Sequence, residues 1–222
     1  MAKSDWTFYL TGTVVHNLVT IPAPPVGLKW LHFALTAASG PIVAVPKQPP
    51  YPHADITRGR WRTLWRHDDA SLRSQSGLLA VCSQDNMLPG QGGASYAVVF
   101  NNNTINATRT LSLVKFTNGI GDLIGGGASM LATASNLVWN LATTYALEWS
   151  WYLDMASLGG MVLSVQFGTA VDFSDLAPVA GLTDILVSTA VLTNAVSVGL
   201  YMANWNSNNC HLYVDQTSLE TL

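Results

Sequence analysis

Carboxylates are the first residues to weigh for chemistry, because cleaving a glycosidic bond by hydrolysis takes two of them about 5 to 9.5 Å apart. The chain has only two glutamates, Glu148 and Glu220. Glu148 and Asp154 would share one face of a strand, but six residues at ~3.3 Å each separate them by roughly 20 Å. That spacing does not suit a hydrolase. Cys210 and His211 are adjacent and would point to opposite faces of a strand, and no second pair at zinc spacing accompanies them. The run His67, Asp68, Asp69 has no activated nucleophile such as a Gly-x-Ser-x-Gly elbow to serve. Gly125, Gly126 and Gly127 lack the lysine of a phosphate-binding loop and read as a loop tip. The expectation is therefore a protein that is not an enzyme, with no cofactor.

Three binding chemistries remain. Asp85, Asn86 and Asp122 fall on expected loops and could offer hard oxygen ligands to Ca2+, though without the spacing of a dedicated calcium loop. Trp205 stands between Asn204 and Asn206, an aromatic ring flanked by amides, which is the chemistry that grips a sugar; a tryptophan that caps the edge of a sheet would look the same. In Thr57 to Arg66, Arg58, Arg60 and Arg62 fall on one face of a strand while Trp61, Thr63 and Trp65 fall on the other. A basic face backed by an aromatic one suits contact with an acidic partner.

The elements that must position these residues are strands. From residue 57 onward, short alternating runs are separated by Gly, Asn, Asp and Ser, the pattern of an antiparallel all-β domain. The candidates are Gly77 to Ser83, Ser95 to Asn101, Arg109 to Phe116, Tyr145 to Leu153, Met161 to Phe167, Ala195 to Ala203 and His211 to Asp215. Tyr145, Leu147, Trp149, Trp151 and Leu153 alternate with Ala146, Glu148, Ser150 and Tyr152, a period of two. Strands with one apolar face each call for two stacked sheets. Ahead of them, Trp6 to Leu10 is an isolated strand candidate, and eight of the ten prolines precede residue 53. Proline removes amide donors and extends the chain, so residues 1–56 read as a strand followed by an extended arm, and residues 57–222 as the sandwich. The arm, with Pro49 and Pro50, is expected to bury itself on a neighbouring subunit in preference to its own domain.

Composition narrows the function classes. Hydrophobic residues make up 49% and charged ones 10% of the 222 residues, against about 25% charged in an ordinary domain, which excludes disorder. The greasiest stretch, Leu186 to Ala203, is interrupted by Ser188, Thr189, Thr193, Asn194 and Ser197 and fits strands, so no membrane association is expected. All ten Lys and Arg lie at or before Lys115, giving +5 there and −8 beyond it. Either the asymmetry cancels inside one domain, or each subunit presents faces of opposite sign to its partners. A pI near 5.9 argues against nucleic acid. The N-terminus has no apolar core of a signal peptide, and Cys82 and Cys210, both in apolar surroundings, are expected as buried thiols.

The order of elements from Arg60 onward resembles a laminin-G or concanavalin A-like jelly roll. The resemblance is carried by Arg66-His67-Asp68 ending an early strand, a Gly-Leu-Leu strand, a middle hairpin, Tyr145 to Tyr152, Val198 to Tyr201, and a closing Leu212-Tyr213-Val214-Asp215 after an Asn-rich loop. It spans roughly residues 59 to 222. The opening Met1-Ala2-Lys3-Ser4-Asp5-Trp6-Thr7-Phe8-Tyr9 is similar to the start of virion proteins of tailed bacteriophages that use this sandwich. That resemblance implies a virion structural protein, made in the host cytoplasm, that decorates the capsid or forms an accessory part of the tail. Its partners would be other virion proteins and copies of itself, met through Arg58, Arg60, Arg62 and the Pro49-Pro50 arm. The alternative is a carbohydrate-binding adhesion module for host-surface glycans, with Trp205, Asn204 and Asn206 in contact with the sugar.

Overall fold

A computed structural model describes residues 5–11, 14–20, 22, 24, 30–35, 41–47, 57–69, 73–103, 108–123, 127–134, 137, 139–205 and 209–220. They form fifteen strands and no α-helix. The strands are β1 (Trp6–Leu10), β2 (Val14–Val19), β3 (Trp30–Leu35), β4 (Ile42–Pro46), β5 (Arg58–Asp69), β6 (Arg73–Cys82), β7 (Ser95–Asn103) and β8 (Thr108–Phe116). They continue as β9 (Ser129–Thr133), β10 (Thr144–Asp154), β11 (Gly160–Gly168), β12 (Ala177–Pro178), β13 (Ile185–Val187), β14 (Ser197–Asn204) and β15 (Cys210–Glu220). A seven-stranded sheet runs β1-β4-β14-β6-β7-β8-β9, and an eight-stranded one runs β12-β11-β10-β5-β15-β3-β2 with β13 also paired to β11. Every pairing is antiparallel.

Period-two patterning explains why the sheets face each other. Trp61 and Trp65 of β5, Leu147, Trp149 and Trp151 of β10, and Leu212 and Val214 of β15 meet Leu78 and Ala80 of β6, Val98 and Phe100 of β7, and Leu200 and Met202 of β14 in one buried cluster. The Trp65 and Phe100 rings stack across the interface with centroids 5.3 Å apart. The alternating tryptophans are therefore core residues of this chain. One polar clamp crosses the same interior: the His67 ring nitrogens lie 2.8 Å from Ser76 Oγ and 3.0 Å from Ser74 Oγ, so both are satisfied in a dry setting.

The segment expected to run as an arm contributes strands to both sheets. β1 pairs with β4, and β4 with β14, in the seven-stranded sheet, while β2 pairs with β3, and β3 with β15, in the other. Trp6, Leu31, Phe33, Leu35, Ile42 and Ala44 lie in the shared core. The prolines mark gaps between these strands: Pro41 and Pro46 bracket β4, where an amide donor is not needed to continue a ladder. Pro49 and Pro50 lie outside the described residues.

The two outer faces differ. Over the seven-stranded sheet, Met87, Leu88 and Ile120 from connecting loops cover Val43, Leu79, Val99 and Tyr201 in a second buried cluster. On the eight-stranded sheet a small apolar island, Trp30, Leu64, Ala146 and Tyr213, is packed beneath Val19, Phe173 and Leu176. Cys82 belongs to the second cluster and Cys210 to the central core; both are buried and no disulfide joins them.

Candidate functional site

Beside that island, the outer face of the eight-stranded sheet is an ordered grid. With Trp61, Trp149, Trp151, Leu163 and Val165 turned inward, their alternates must turn outward. Cross-strand register then sets three rows. The first is Arg58 beside Tyr152, Tyr152 beside Val162, and Val162 beside Leu186. The second runs Glu220, Arg60, Ser150, Ser164, and the third Ser218, Arg62, Glu148, Gln166. Rows two residues apart and strands ~4.8 Å apart give a patch of roughly 13 Å by 14 Å.

A β-bulge keeps β15 in this grid. Between Leu64 and Arg62 on β5 the partner strand advances from Asp215 to Ser218, one residue more than β5 does. Without it, Ser218 and Glu220 would turn into the core. Gln216 takes the left-handed φ of 48° that the bulge needs. Thr63, on the inner side, holds it by donating from Oγ1 to the Asp215 carbonyl at 3.1 Å, with Thr217 Oγ1 also at 3.1 Å.

The side chains of the grid are partly committed to each other. Arg62 Nε donates to Glu148 Oε2 at 2.5 Å, with Glu148 only 5% exposed. Arg60 pairs with Glu220, and that hydrogen bond raises the arginine's pKa and draws the carboxyl below its ordinary value. Arg58 is exposed and lies over the Tyr152 ring, 5.9 Å from its centroid. Ser164 Oγ is shared with Asp184, donating to Oδ1 at 3.0 Å and accepting from its backbone N–H at 2.9 Å. At the first row Tyr152 is half-buried and Leu186 exposed, so an apolar strip borders the polar rows.

The far end of the same face is closed rather than open. His32 and Tyr213 are buried and stack with centroids 4.6 Å apart, and His32 Nε2 lies 3.0 Å from His211 Nδ1, while its Nδ1 lies 3.0 Å from Asn17 Oδ1. Burial, with His211 adding to it against the opposing pull of Asp68, lowers the His32 pKa to about 4. Arg66 bridges Asp68 at 3.0 Å over Tyr213.

Arg58, Arg60 and Arg62 thus share one outer face, as the alternation predicts. Cys210 points into the core and His211 outward, and His67 turns inward while Asp68 turns out to Arg66. Asn86 serves its own turn, accepting the Leu88 N–H at 3.2 Å, and Asp122 lies beside the buried Gln75. Among the described residues no group of three or more His, Cys, Asp or Glu could hold a metal ion. Trp205, at the end of β14, packs half-buried against the outer cluster of the other sheet; Asn204 is buried and Asn206 lies outside the described residues. Sequence reasoning missed Ser150, Tyr152, Ser164, Gln166 and Leu186. Its own alternation in Tyr145 to Leu153 placed Ser150 and Tyr152 opposite the tryptophans, but nothing in one strand says that β10 lies beside β5. No helix among the described residues is long and apolar enough to cross a membrane.

No family model matches the chain, and no curated protein matches it. Solved structures do. The carbohydrate binding module CBM66 from Bacillus subtilis is 13% identical with a TM-score of 0.57, over 98% of this chain and 96% of that one. The VIP36 exoplasmic/lumenal domain in its Ca2+/Man3GlcNAc-bound form is 11% identical with a TM-score of 0.58, over 99% and 87%. The marine PL-14 alginate lyase from Aplysia kurodai is 4% identical with a TM-score of 0.60, over 97% and 90%. At such identities the likeness is one of fold, and the chain is an all-β sandwich of two antiparallel sheets, of the lectin-like, concanavalin A-like jelly-roll class.

Proposed function

We propose that this chain is a non-catalytic carbohydrate-binding domain that takes its glycan on the outer face of the eight-stranded sheet. The observation that carries the reading is the grid itself. Tyr152 and Leu186 offer an apolar strip to the C–H face of a sugar ring, and Arg58, Arg62, Ser150, Gln166 and Ser218 stand beside it as hydrogen-bonding partners for hydroxyls. Two fold neighbours are by name a carbohydrate binding module and a mannose-containing glycan complex, which supports the same reading. Binding fits better than hydrolysis because both glutamates on this face are held by arginines, Glu148 by Arg62 and Glu220 by Arg60. Neither is free to act as acid or base.

The test is a broad glycan array with wild type, Tyr152→Ala and Trp205→Ala. Tyr152→Ala should abolish binding with the fold intact by circular dichroism, Trp205→Ala should keep it, and bound oligosaccharides should be recovered uncut. Loss with Trp205→Ala alone would move the site to the β14 loop. Carriage on a phage virion, by contact with other virion proteins or self-assembly, rests on the sequence resemblance; it is compatible with glycan binding, since an adhesion module can be carried on a particle.

A further inference from the structure

We infer that the glycan bound on this face is anionic, carrying a carboxylate or sulfate that is received by Arg58, with the free end of Arg62 meeting a second group farther along the same ligand. This rests on the glycan-binding reading and adds the ligand's charge. Three observations carry it. Among the described residues Arg58 has no carboxylate partner, although its guanidinium is exposed and fixed over Tyr152. Arg62 meets Glu148 through Nε, which leaves its terminal nitrogens without a partner there while 37% of the side chain is exposed. The strand that carries them holds four of the ten basic residues of a chain whose net charge is −3.

The neighbouring acids leave Arg58 unpaired: Glu148 and Glu220 are paired with Arg62 and Arg60, while Asp184 and Asp154, which keep their charge, are hydrogen-bonded to Ser164 and to the Ser157 N–H at 2.8 Å. Arg58 and Arg62 stand about 13 Å apart along β5, Cα to Cα, a spacing that suits separate groups of an extended ligand. A planar fork of N–H donors matches a carboxylate or sulfate, and its contact with the Tyr152 ring restrains the fork, so less freedom is lost on binding. A neutral glycan would leave Arg58 unanswered.

The experiment is an array holding neutral, uronic-acid, sulfated and sialylated glycans, followed by titration of the best ligand and its uncharged counterpart (methyl ester or desulfated form). Wild type should select acidic glycans, lose about tenfold or more in affinity when the charge is removed or when Arg58→Gln is introduced, and weaken from 50 to 500 mM NaCl. Arg58→Lys should restore part of the loss. The uronate and sulfate arms show which anion is preferred. Selection of neutral glycans, with Arg58→Gln binding them as wild type does, overturns the anionic ligand and leaves glycan binding standing. A wild-type protein that binds no glycan overturns both.

Discussion

Glu148 is buried beneath Arg62, its Oε2 2.5 Å from Arg62 Nε, in the third row of the grid on the outer sheet face. A carboxylate removed from water in this way is stable only while its partner stays. Arg62→Ala should therefore cost about 3 kcal/mol, the low end for stranding a buried charge because the arginine itself is partly exposed. Arg62→Leu combined with Glu148→Leu should recover most of it. Urea unfolding of the two variants and wild type decides; equal losses in the single and double variants would mean the pair contributes only packing.

Stability should also depend on the stacked ring cluster. His32 has its pKa lowered to about 4 from an ordinary value near 6.5, chiefly by burial. The unfolded chain then takes up a proton at His32 before the folded one does, so this residue withdraws stability as pH falls from about 6.5 to 4 and withdraws no more below that. The melting temperature of wild type should fall across that window, and His32→Gln should flatten the fall. A parallel descent in both proteins would assign it to other groups.

Gly59 has no room to change. A Cβ there would stand 2.5 Å from Cζ2 of Trp151, whose ring is fixed among the core tryptophans at 5.3 Å from that of Trp149. Gly59→Ala must displace Trp151, on the strand position next to Tyr152, and should cost about 1–3 kcal/mol. It should weaken glycan binding as well. A variant as stable as wild type would mean that the ring can swing aside freely.

Neither cysteine should react while the protein is folded. Burial pushes the Cys82 thiol well above its ordinary pKa, and Cys210 sits fully inside the core. Ellman's reagent should find no thiol in buffer and two in denaturant; a thiol titrated rapidly in buffer would place one of them at the surface.

Deleting residues 1–52 should abolish cooperative unfolding. The deletion removes β1 to β4 and with them Trp6, Trp30, Leu31, Phe33 and Ile42 from the core. It also strips β14 and β15 of neighbours in their sheets. A truncated protein that still melts in one sharp transition would show that those four strands are dispensable.

The strands with clean alternation were legible in the sequence. Arg58 to Arg66 and Tyr145 to Leu153 declare their inner and outer faces because one side is tryptophan and the other is not. β1 was expected at Trp6 to Leu10, but β2 to β4 were hidden by the prolines around them, since proline is compatible with strand ends as well as with an extended arm. The site was half visible. The arginines could be placed on one face, but their neighbours come from β10, β11 and β15, up to 160 residues away, and only the cross-strand register unites them. Trp205 looked like an isolated platform because no local signal shows that loop residues such as Met87 and Ile120 roof the outer side of its sheet.

β15 lies between β5 and β3, in the middle of its sheet, although it is made after every other strand. A ribosome-bound chain can therefore assemble the β5-β10-β11 ribbon but must wait for residues 210–220 before β3 and β2 have anything to join. Until then the flank of β5 is an open edge, ready to capture a strand from another copy. Slow synthesis or a lost C-terminal segment should lead to aggregation, and the arginine-rich strand would be the place where it starts.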